Sequence, residues 1–211
     1  HYAMIGTAHM AGGYPLYYDA ANEKGLCIAG LNFVNSASYS EKTEGCTAPF
    51  ELIPLVLSKC ADIVEARALL GKITLGNIPF NKQLPTAKLH WILADKDKTI
   101  VAEPKNGKLK IYDAAANVLA NDPPFDFQMQ NLNNYMALSP YPPENRFSYA
   151  LPLKTYSRGM GALGLPGDLS SQSRFVRAAF VAANSVSGNG EYDGVTQLFH
   201  ILGSAEQQNG C

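Results

Sequence analysis

The spacing of apolar and polar residues divides the chain into a strand-rich part followed by helices. A run of small and apolar residues at 26–31 follows a polar turn and predicts a strand buried on both faces, which ends at Asn32. Residues 89–94, 99–103 and 108–112 form further apolar runs, and the Asn106-Gly107 pair between the last two is a strong hairpin signal. We therefore predict antiparallel sheet covered by helices.

Helix starts are marked by capping residues. Asp62 precedes an apolar pattern that runs to Leu70 and stops at Gly71, and Pro54 is expected in the first turn of the preceding helix. Further helices are predicted over 127–138 with Asp126 as cap, from Asp168 or Ser170 to about residue 181, and from 193 to 202.

Three connections have unusual composition. Residues 7–15 combine apolar side chains with a Gly pair, which suits either the rim of an apolar binding site or an ordinary surface loop. Residues 78–85 are rich in apolar and aromatic side chains, which indicates a second pocket wall or a loop packed on the core. Residues 139–159 are rich in Pro, Tyr and Ser without periodicity, which suits a lid or a subunit contact.

Composition narrows the function classes. The net charge of −1 is dispersed, so nucleic acid is not an expected partner, and no run approaches the roughly 18 apolar residues of a membrane helix. The four cysteines are far apart, which argues against a zinc ribbon or a redox pair and fits a reducing, cytoplasmic location. We expect no metal and no cofactor. Both ends look cut, so we expect an internal piece of a longer protein, folded as a single domain over residues 1–211.

Two asparagines mark the candidate chemistry. Asn32 follows the apolar run at 26–31, and Asn121 follows a further short strand predicted at 117–120. Amide NH₂ groups held rigidly at strand ends can form an oxyanion hole, and Arg174, near a helix start, could hold a thiolate or a carboxylate. Turn-capping asparagines and a surface arginine are the alternative interpretation. No nucleophile with an adjacent base is evident, and Cys27 is expected to be inert packing.

The motifs NEKGLCIAGLNF at 22–33, NDPPFD at 121–126 and LPGDLSSQSRFVR at 165–177 occur in this order. On these motifs the chain resembles the choloylglycine hydrolase family, which contains the bile salt hydrolases and penicillin V acylases. The resemblance extends from Tyr2 to Cys211. It implies an α+β fold of αββα architecture, the N-terminal nucleophile (Ntn) hydrolase sandwich, incomplete at both ends.

The resemblance also implies a mechanism. The nucleophile of this family is an N-terminal cysteine whose own α-amine is the base, and this chain lacks it, so we expect the literal chain to be inactive. By the same resemblance Asn32 and Asn121 contribute oxyanion contacts and Arg174 lies close to the nucleophile. Met10, Phe80 and Leu84 fall in loops that surround the steroid in relatives, and residues 139–158 match a loop that relatives use to form tetramers.

The expected substrate is a conjugated bile acid. Asn32 favours the bile salt hydrolase branch, because penicillin V acylases tend to carry Tyr at this position. We therefore expect a small-molecule amidase that forms a homotetramer and binds neither nucleic acid nor membrane. The nearest alternative is a penicillin V acylase or an N-acyl homoserine lactone acylase on the same scaffold. The other alternative is an inactive fragment limited to binding or assembly.

Overall fold

The structure, a computed structural model, describes residues 1–210, which divide into two compact units, His1–Phe125 and the residues from Asp126 onward. Whether the two units form one domain, as predicted, depends on how they combine, so the single domain over residues 1–211 stays a prediction.

The first unit is built on a six-stranded antiparallel sheet whose strands follow the order of the chain. Its strands are β1 (Met4–Ala11), β2 (Tyr14–Asn22), β3 (Cys27–Asn32), β4 (Leu89–Ala94), β5 (Thr99–Lys105) and β6 (Lys108–Asp113). Two helices, α1 (Leu52–Lys59) and α2 (Ile63–Leu70), accompany it. The α+β prediction is confirmed.

Apolar residues of alternate strand positions meet the helices in one core. Ile28 and Leu93 are cross-strand partners, as are Leu93 and Ile100, so these three share a face of the sheet. All three belong to the core cluster that also contains the buried side chains of α1 and α2. This face is the one that positions the candidate site.

The prediction that β3 is buried on both faces is wrong. Ile28 is buried, but Cys27 and Asn32 at the two ends of the strand are exposed. The reason is that α1 packs on β2 and β3 from the face that carries Ile28. Cys27 is therefore not core packing, although partial burial does raise the pKa of its thiol.

The loop predicted at 7–15 is also corrected. Residues 4–11 and 14–22 pair as a β-hairpin, with Gly12 and Gly13 at positive φ in the turn. The sequence does not predict the strand at 7–11, because Thr, Ala and His at 7–9 give no strong strand pattern. The Asn106-Gly107 hairpin is confirmed, with φ of 51° and 78°, as the two-residue turn requires.

The helix signals predicted for α1 and α2 are confirmed. The Asp62 carboxylate accepts a hydrogen bond from Glu65 N, and Gly71 ends α2. Pro54 lies in the first turn of α1. The cap predicted at Asp126 is wrong, because helix α3 (Phe125–Asn131) begins one residue before it. The helix continues as a 3₁₀ turn, Leu132–Tyr135, and so ends before the predicted residue 138.

The second unit contains α4 (Ser171–Asn184) and α5 (Glu191–Gly203), which contact each other. Ser170 caps α4 through Ser173 N, as predicted. Arg177 of α4 donates to the carbonyl oxygens of Ser204, Pro166 and Asp168. These hydrogen bonds connect the end of α5 to the segment that precedes α4. Residues 139–159 contain no helix or strand.

Candidate active site

A cavity of about 390 Å³ lies on the helix-covered face of the sheet in the first unit. Strands β1 to β4 form its floor, the start of α1 forms one wall, and the loop at 78–87 forms another. Most of its lining is apolar or aromatic: Leu16, Tyr17, Tyr18, Gly30, Pro49, Phe50, Ile53, Ile78, Phe80, Leu84, Pro85, Ala87, Leu89 and Trp91, together with His9, Asn32 and Thr86. A cavity of this size and character suits a small, largely apolar organic ligand.

Asn32 is the polar group at the end of β3 that reaches this cavity. It shares a sheet face with Gly30, because side chains two apart on a strand project the same way. Among the described residues its side-chain amide has no hydrogen-bond partner, so both of its N–H groups are available to a ligand.

Asn121 lies next to Asn32. Its Nδ2 donates to the backbone oxygen of Asn32 at 3.0 Å, which joins two residues 89 positions apart in the chain. A second tie runs from Asn35 N to the Asp122 carboxylate at 3.1 Å. The two predicted oxyanion asparagines are thus brought together.

The short strand predicted at 117–120, before Asn121, is wrong. Strand β6 ends at Asp113, and residues 114–120 form an irregular segment with Asn117 at a φ of 54°. A positive φ breaks the extended conformation, so Asn121 is held by hydrogen bonds rather than by a strand. The following Asp122–Pro123 peptide bond is cis.

Phe80 and Leu84 both line the cavity. The Phe80 ring lies 5.2 Å from that of Phe50 and 5.6 Å from that of Tyr14, in an aromatic cluster that fixes its position. Leu84 is fixed by a turn in which Asn81 Oδ1 accepts from its backbone N–H at 2.9 Å. The other end of the loop is held by the Tyr39 hydroxyl, which donates to Ala87 O at 2.9 Å.

Met10 lies on β1 beside the cavity-lining His9, but it is not among the lining residues and is 61% exposed. His9, which falls in the segment 7–15 predicted as a loop, does line the cavity. Strand position alone separates these neighbours, because adjacent strand residues project to opposite faces. A loop prediction for 7–15 contains no such alternation, so it could not separate His9 from Met10.

Gly30 and Trp91 also escaped prediction as site residues. They are cross-strand partners, and a Cβ added at Gly30 would lie 3.2 Å from Trp91 Nε1. A side chain larger than that of glycine at position 30 would therefore crowd the Trp91 indole in the cavity wall.

Arg174 belongs to the second unit, in the first turn of α4, where its Nε donates to Leu169 O at 3.2 Å. The same helix start holds Asp168, whose carboxylate accepts from Ser170 N and Ser173 Oγ. Hydrogen bonds from Ser170 and Ser173 lower the pKa of Asp168 to about 2. The predicted approach of Arg174 to the asparagines stays a prediction.

Within residues 1–210, no group of three or more His, Cys, Asp and Glu side chains could hold a metal ion. None of the helices in the same residues is long and apolar enough to cross a membrane.

The sequence profile of the linear amide C–N hydrolases, choloylglycine hydrolase family, matches residues 1–211. The chain is 54% identical to the bile salt hydrolase/transferase of Lactiplantibacillus plantarum, over 100% of the chain and 65% of that relative. It thus spans about two thirds of the length of the curated relatives that it matches.

Two solved structures give the same fold. A variant of the conjugated bile acid hydrolase from Clostridium perfringens superposes with a TM-score of 0.86 at 33% identity, over 99% of this chain and 65% of that one. The penicillin V acylase from Agrobacterium tumefaciens superposes with a TM-score of 0.69 at 24% identity, over 92% of this chain and 53% of that one, which shows the fold alone. The predicted Ntn-hydrolase fold is confirmed.

Proposed function

Since the chain belongs to the choloylglycine hydrolase family, we propose that the protein is a bile salt hydrolase, which cleaves the amide bond of glycine- or taurine-conjugated bile acids. The observation that carries this proposal is the pair Asn32 and Asn121 beside a mostly apolar cavity, in a chain 54% identical to a bile salt hydrolase/transferase.

The asparagines suit the hard step of amide cleavage. Attack on the amide carbon places negative charge on its oxygen, and donors already aimed at that charge lower the barrier. Asn32 supplies a side-chain amide with no other partner in the described residues. Asn121 contributes its own amide and, through its bond to Asn32 O, fixes the end of β3.

The attacking group in this proposal is the thiolate of an N-terminal cysteine, with its own α-amine as base. An amine with a pKa of about 8 can take the thiol proton and pass it to the leaving nitrogen. The chain's cysteines at 27, 46, 60 and 211 are not N-terminal, and burial raises the pKa of both Cys27 and Cys60. Arg174 is assigned to hold the thiolate. A protein that begins at His1 is therefore expected to give no turnover.

The cavity is assigned to the steroid part of the substrate. Phe80 and Leu84 contribute apolar walls. A substrate contact at Met10 stays a prediction, since this side chain does not line the cavity. Hydrolysis would follow acyl transfer to the cysteine, with a thioester as the covalent intermediate and glycine or taurine as the leaving amine.

A test uses the natural protein, expressed from its complete gene, with taurocholate, glycocholate and penicillin V assayed side by side. We expect release of taurine or glycine to exceed penicillin V hydrolysis. Preference for penicillin V would move the assignment to the acylase branch, which shares the fold. Absence of all three activities would leave binding or assembly as the function and overturn the proposal.

We further propose that residues 139–158 form a subunit contact of a cytoplasmic homotetramer. This segment exposes an unusual density of large apolar side chains, with exposures between 46% and 104%: Tyr141, Phe147, Tyr149, Leu151, Leu153 and Tyr156. Such a concentration is typical of a surface that another protein covers. The free cysteines at 27, 46 and 60 fit a reducing compartment.

A further inference from the structure

A buried polar pair lies on the sheet face opposite the cavity. His90 stands on β4 between Leu89 and Trp91, which both line the cavity, so its side chain projects to the other side. Its Nδ1 lies 3.2 Å from Glu103 Oε1 on the neighbouring strand, and the two side chains are only 0% and 6% exposed.

Each member of the pair holds a segment that carries one of the asparagines. The His90 ring stacks on Phe33 with centroids 4.2 Å apart and planes within 7°. Phe33 directly follows Asn32. Glu103 Oε1 also accepts from Phe125 N at 2.8 Å, four residues after Asn121. One carboxylate oxygen and one imidazole therefore connect the backbone after Asn32 to the backbone after Asn121.

Stability alone does not require this pair. Apolar side chains of similar volume often replace a buried ionisable pair without loss of stability. His90 Nε2 is buried without a hydrogen-bond partner in the described residues, which costs further free energy. A polar pair does provide directional bonds, and these fix geometry where apolar packing would not.

We propose that His90 and Glu103 are positioning residues, which set the spacing between the Asn32 and Asn121 amides from the far side of the sheet. This inference rests on the proposed function, because the spacing matters for an oxyanion shared by both amides. A displacement of about 1 Å at such a donor can cost a hundredfold in rate.

The test measures kcat and KM for taurocholate with the natural protein and three variants. Glu103→Leu removes the acceptor, His90→Phe keeps the stack on Phe33 but loses the bond to Glu103, and Glu103→Gln keeps an oxygen for Phe125 N. We expect kcat to fall about 10- to 100-fold in the first and to fall less in the second, with KM within about threefold. Glu103→Gln should recover kcat to within about threefold of the natural protein.

Asn22→Ala provides the matched control. Asn22 is an equally buried polar residue of the same sheet, 6% exposed, but its Nδ2 donates to Leu57 O and Cys60 O at the end of α1, away from the asparagines. It should lower the melting temperature and leave kcat unchanged. If Glu103→Leu behaves in the same way, with natural kcat and reduced stability, the positioning role is wrong.

A second measurement needs no activity and covers the case in which Glu103→Leu does not fold. Amide hydrogen exchange at Phe125 should be slow in the natural protein and should stay as slow as that of the β5 amides in Glu103→Gln, which keeps an oxygen acceptor for this N–H. Exchange at the rate of an exposed loop in the natural protein would overturn the inference. Failure of the natural protein to hydrolyse bile salts would instead overturn the proposed function, so the two failures are distinguishable.

Discussion

At the scale of single residues, Asn32 is the one of the two proposed oxyanion donors that lines the cavity. The Asn32 amide is at the cavity, and the described residues offer it no other partner. Its backbone oxygen is at the same time fixed by Asn121. The side chain is therefore free to meet a ligand while the strand end that carries it is held.

Asn32→Ala should lower kcat for taurocholate about 10²- to 10³-fold in the natural protein, which corresponds to about 2.7–4 kcal/mol of lost transition-state stabilisation. KM should change little, because the charge develops only in the transition state. Asn35→Ala is a suitable control, since Asn35 contacts Asp122 through its backbone N–H. A variant at Asn32 with natural kcat would contradict the oxyanion role.

Tyr39 gives a prediction on pH. Burial raises its pKa to about 12, while its hydroxyl donates to Ala87 O and accepts from Leu89 N beside the cavity loop. Because the unfolded side chain titrates near pH 10, the unfolded state loses its proton first, and the free energy of unfolding falls as pH rises from about 10 to 12. The loss should total about 2–3 kcal/mol.

Urea unfolding at pH 9, 10, 11 and 12 measures this loss. Tyr39→Phe should start less stable, since it lacks the hydroxyl bonds, but it should lose less stability over this pH range than the natural chain. Equal losses in both proteins would show that other groups account for the pH dependence.

At the scale of elements, α2 shows how capping fixes the helix layer on the sheet. The Asp62 carboxylate accepts from Glu65 N, and Asp95, from the turn after β4, accepts from Ile63 N at 2.9 Å. The hydrogen bond from Ile63 is the main reason why the pKa of Asp95 is lowered. Ile63, Ala66 and Leu70 then project into the core from one side of the helix.

Asp62→Ala should reduce the free energy of unfolding by about 1 kcal/mol, since it leaves a backbone N–H of the first turn without its side-chain partner. The midpoint of urea unfolding measures the change. Glu44→Ala, at an exposed loop carboxylate, should change stability by less than about 0.5 kcal/mol. Equal midpoints for the two variants would show that Asp95 alone suffices as cap.

The predicted features that the structure confirms are those with a local signal. The caps at Asp62 and Ser170 and the turn at Asn106-Gly107 depend on a few adjacent residues, and all three are as predicted. Residues that meet across the fold are different. Asn121 reaches Asn32 by a hydrogen bond over 89 positions, after a segment wrongly read as a strand.

The cavity shows the same limit. Phe80 and Leu84 were predicted as lining residues through a resemblance, and both line it. His9 and Trp91 line it because of strand register and face, which composition does not reveal before the hairpin at 4–22 is known.

At the scale of the whole molecule, residues 139–158 carry several highly exposed aromatic side chains. Phe147, Tyr149 and Tyr156 are each more than 80% exposed. Side chains of this size gain about 1.5–3 kcal/mol each when they are fully buried, so a few of them can hold a subunit contact.

The triple variant Phe147→Ser, Tyr149→Ser and Tyr156→Ser should convert a tetramer of the natural protein into smaller species, because it removes most of this apolar area. Light scattering coupled to size-exclusion chromatography gives the mass. Val186→Ser, at an 89% exposed valine outside the segment, should leave the mass unchanged. A triple variant with the natural mass would place the subunit contact elsewhere.

The tight fit between Gly30 and the indole of Trp91 has a practical consequence. This chain has a single tryptophan, and it is fully buried in the cavity wall. Within these 211 residues, indole emission therefore comes from one place. Any molecule that enters and alters the polarity or packing around the ring should shift or quench that light, whereas association through distant surfaces should not, so occupancy can be followed in real time without a label.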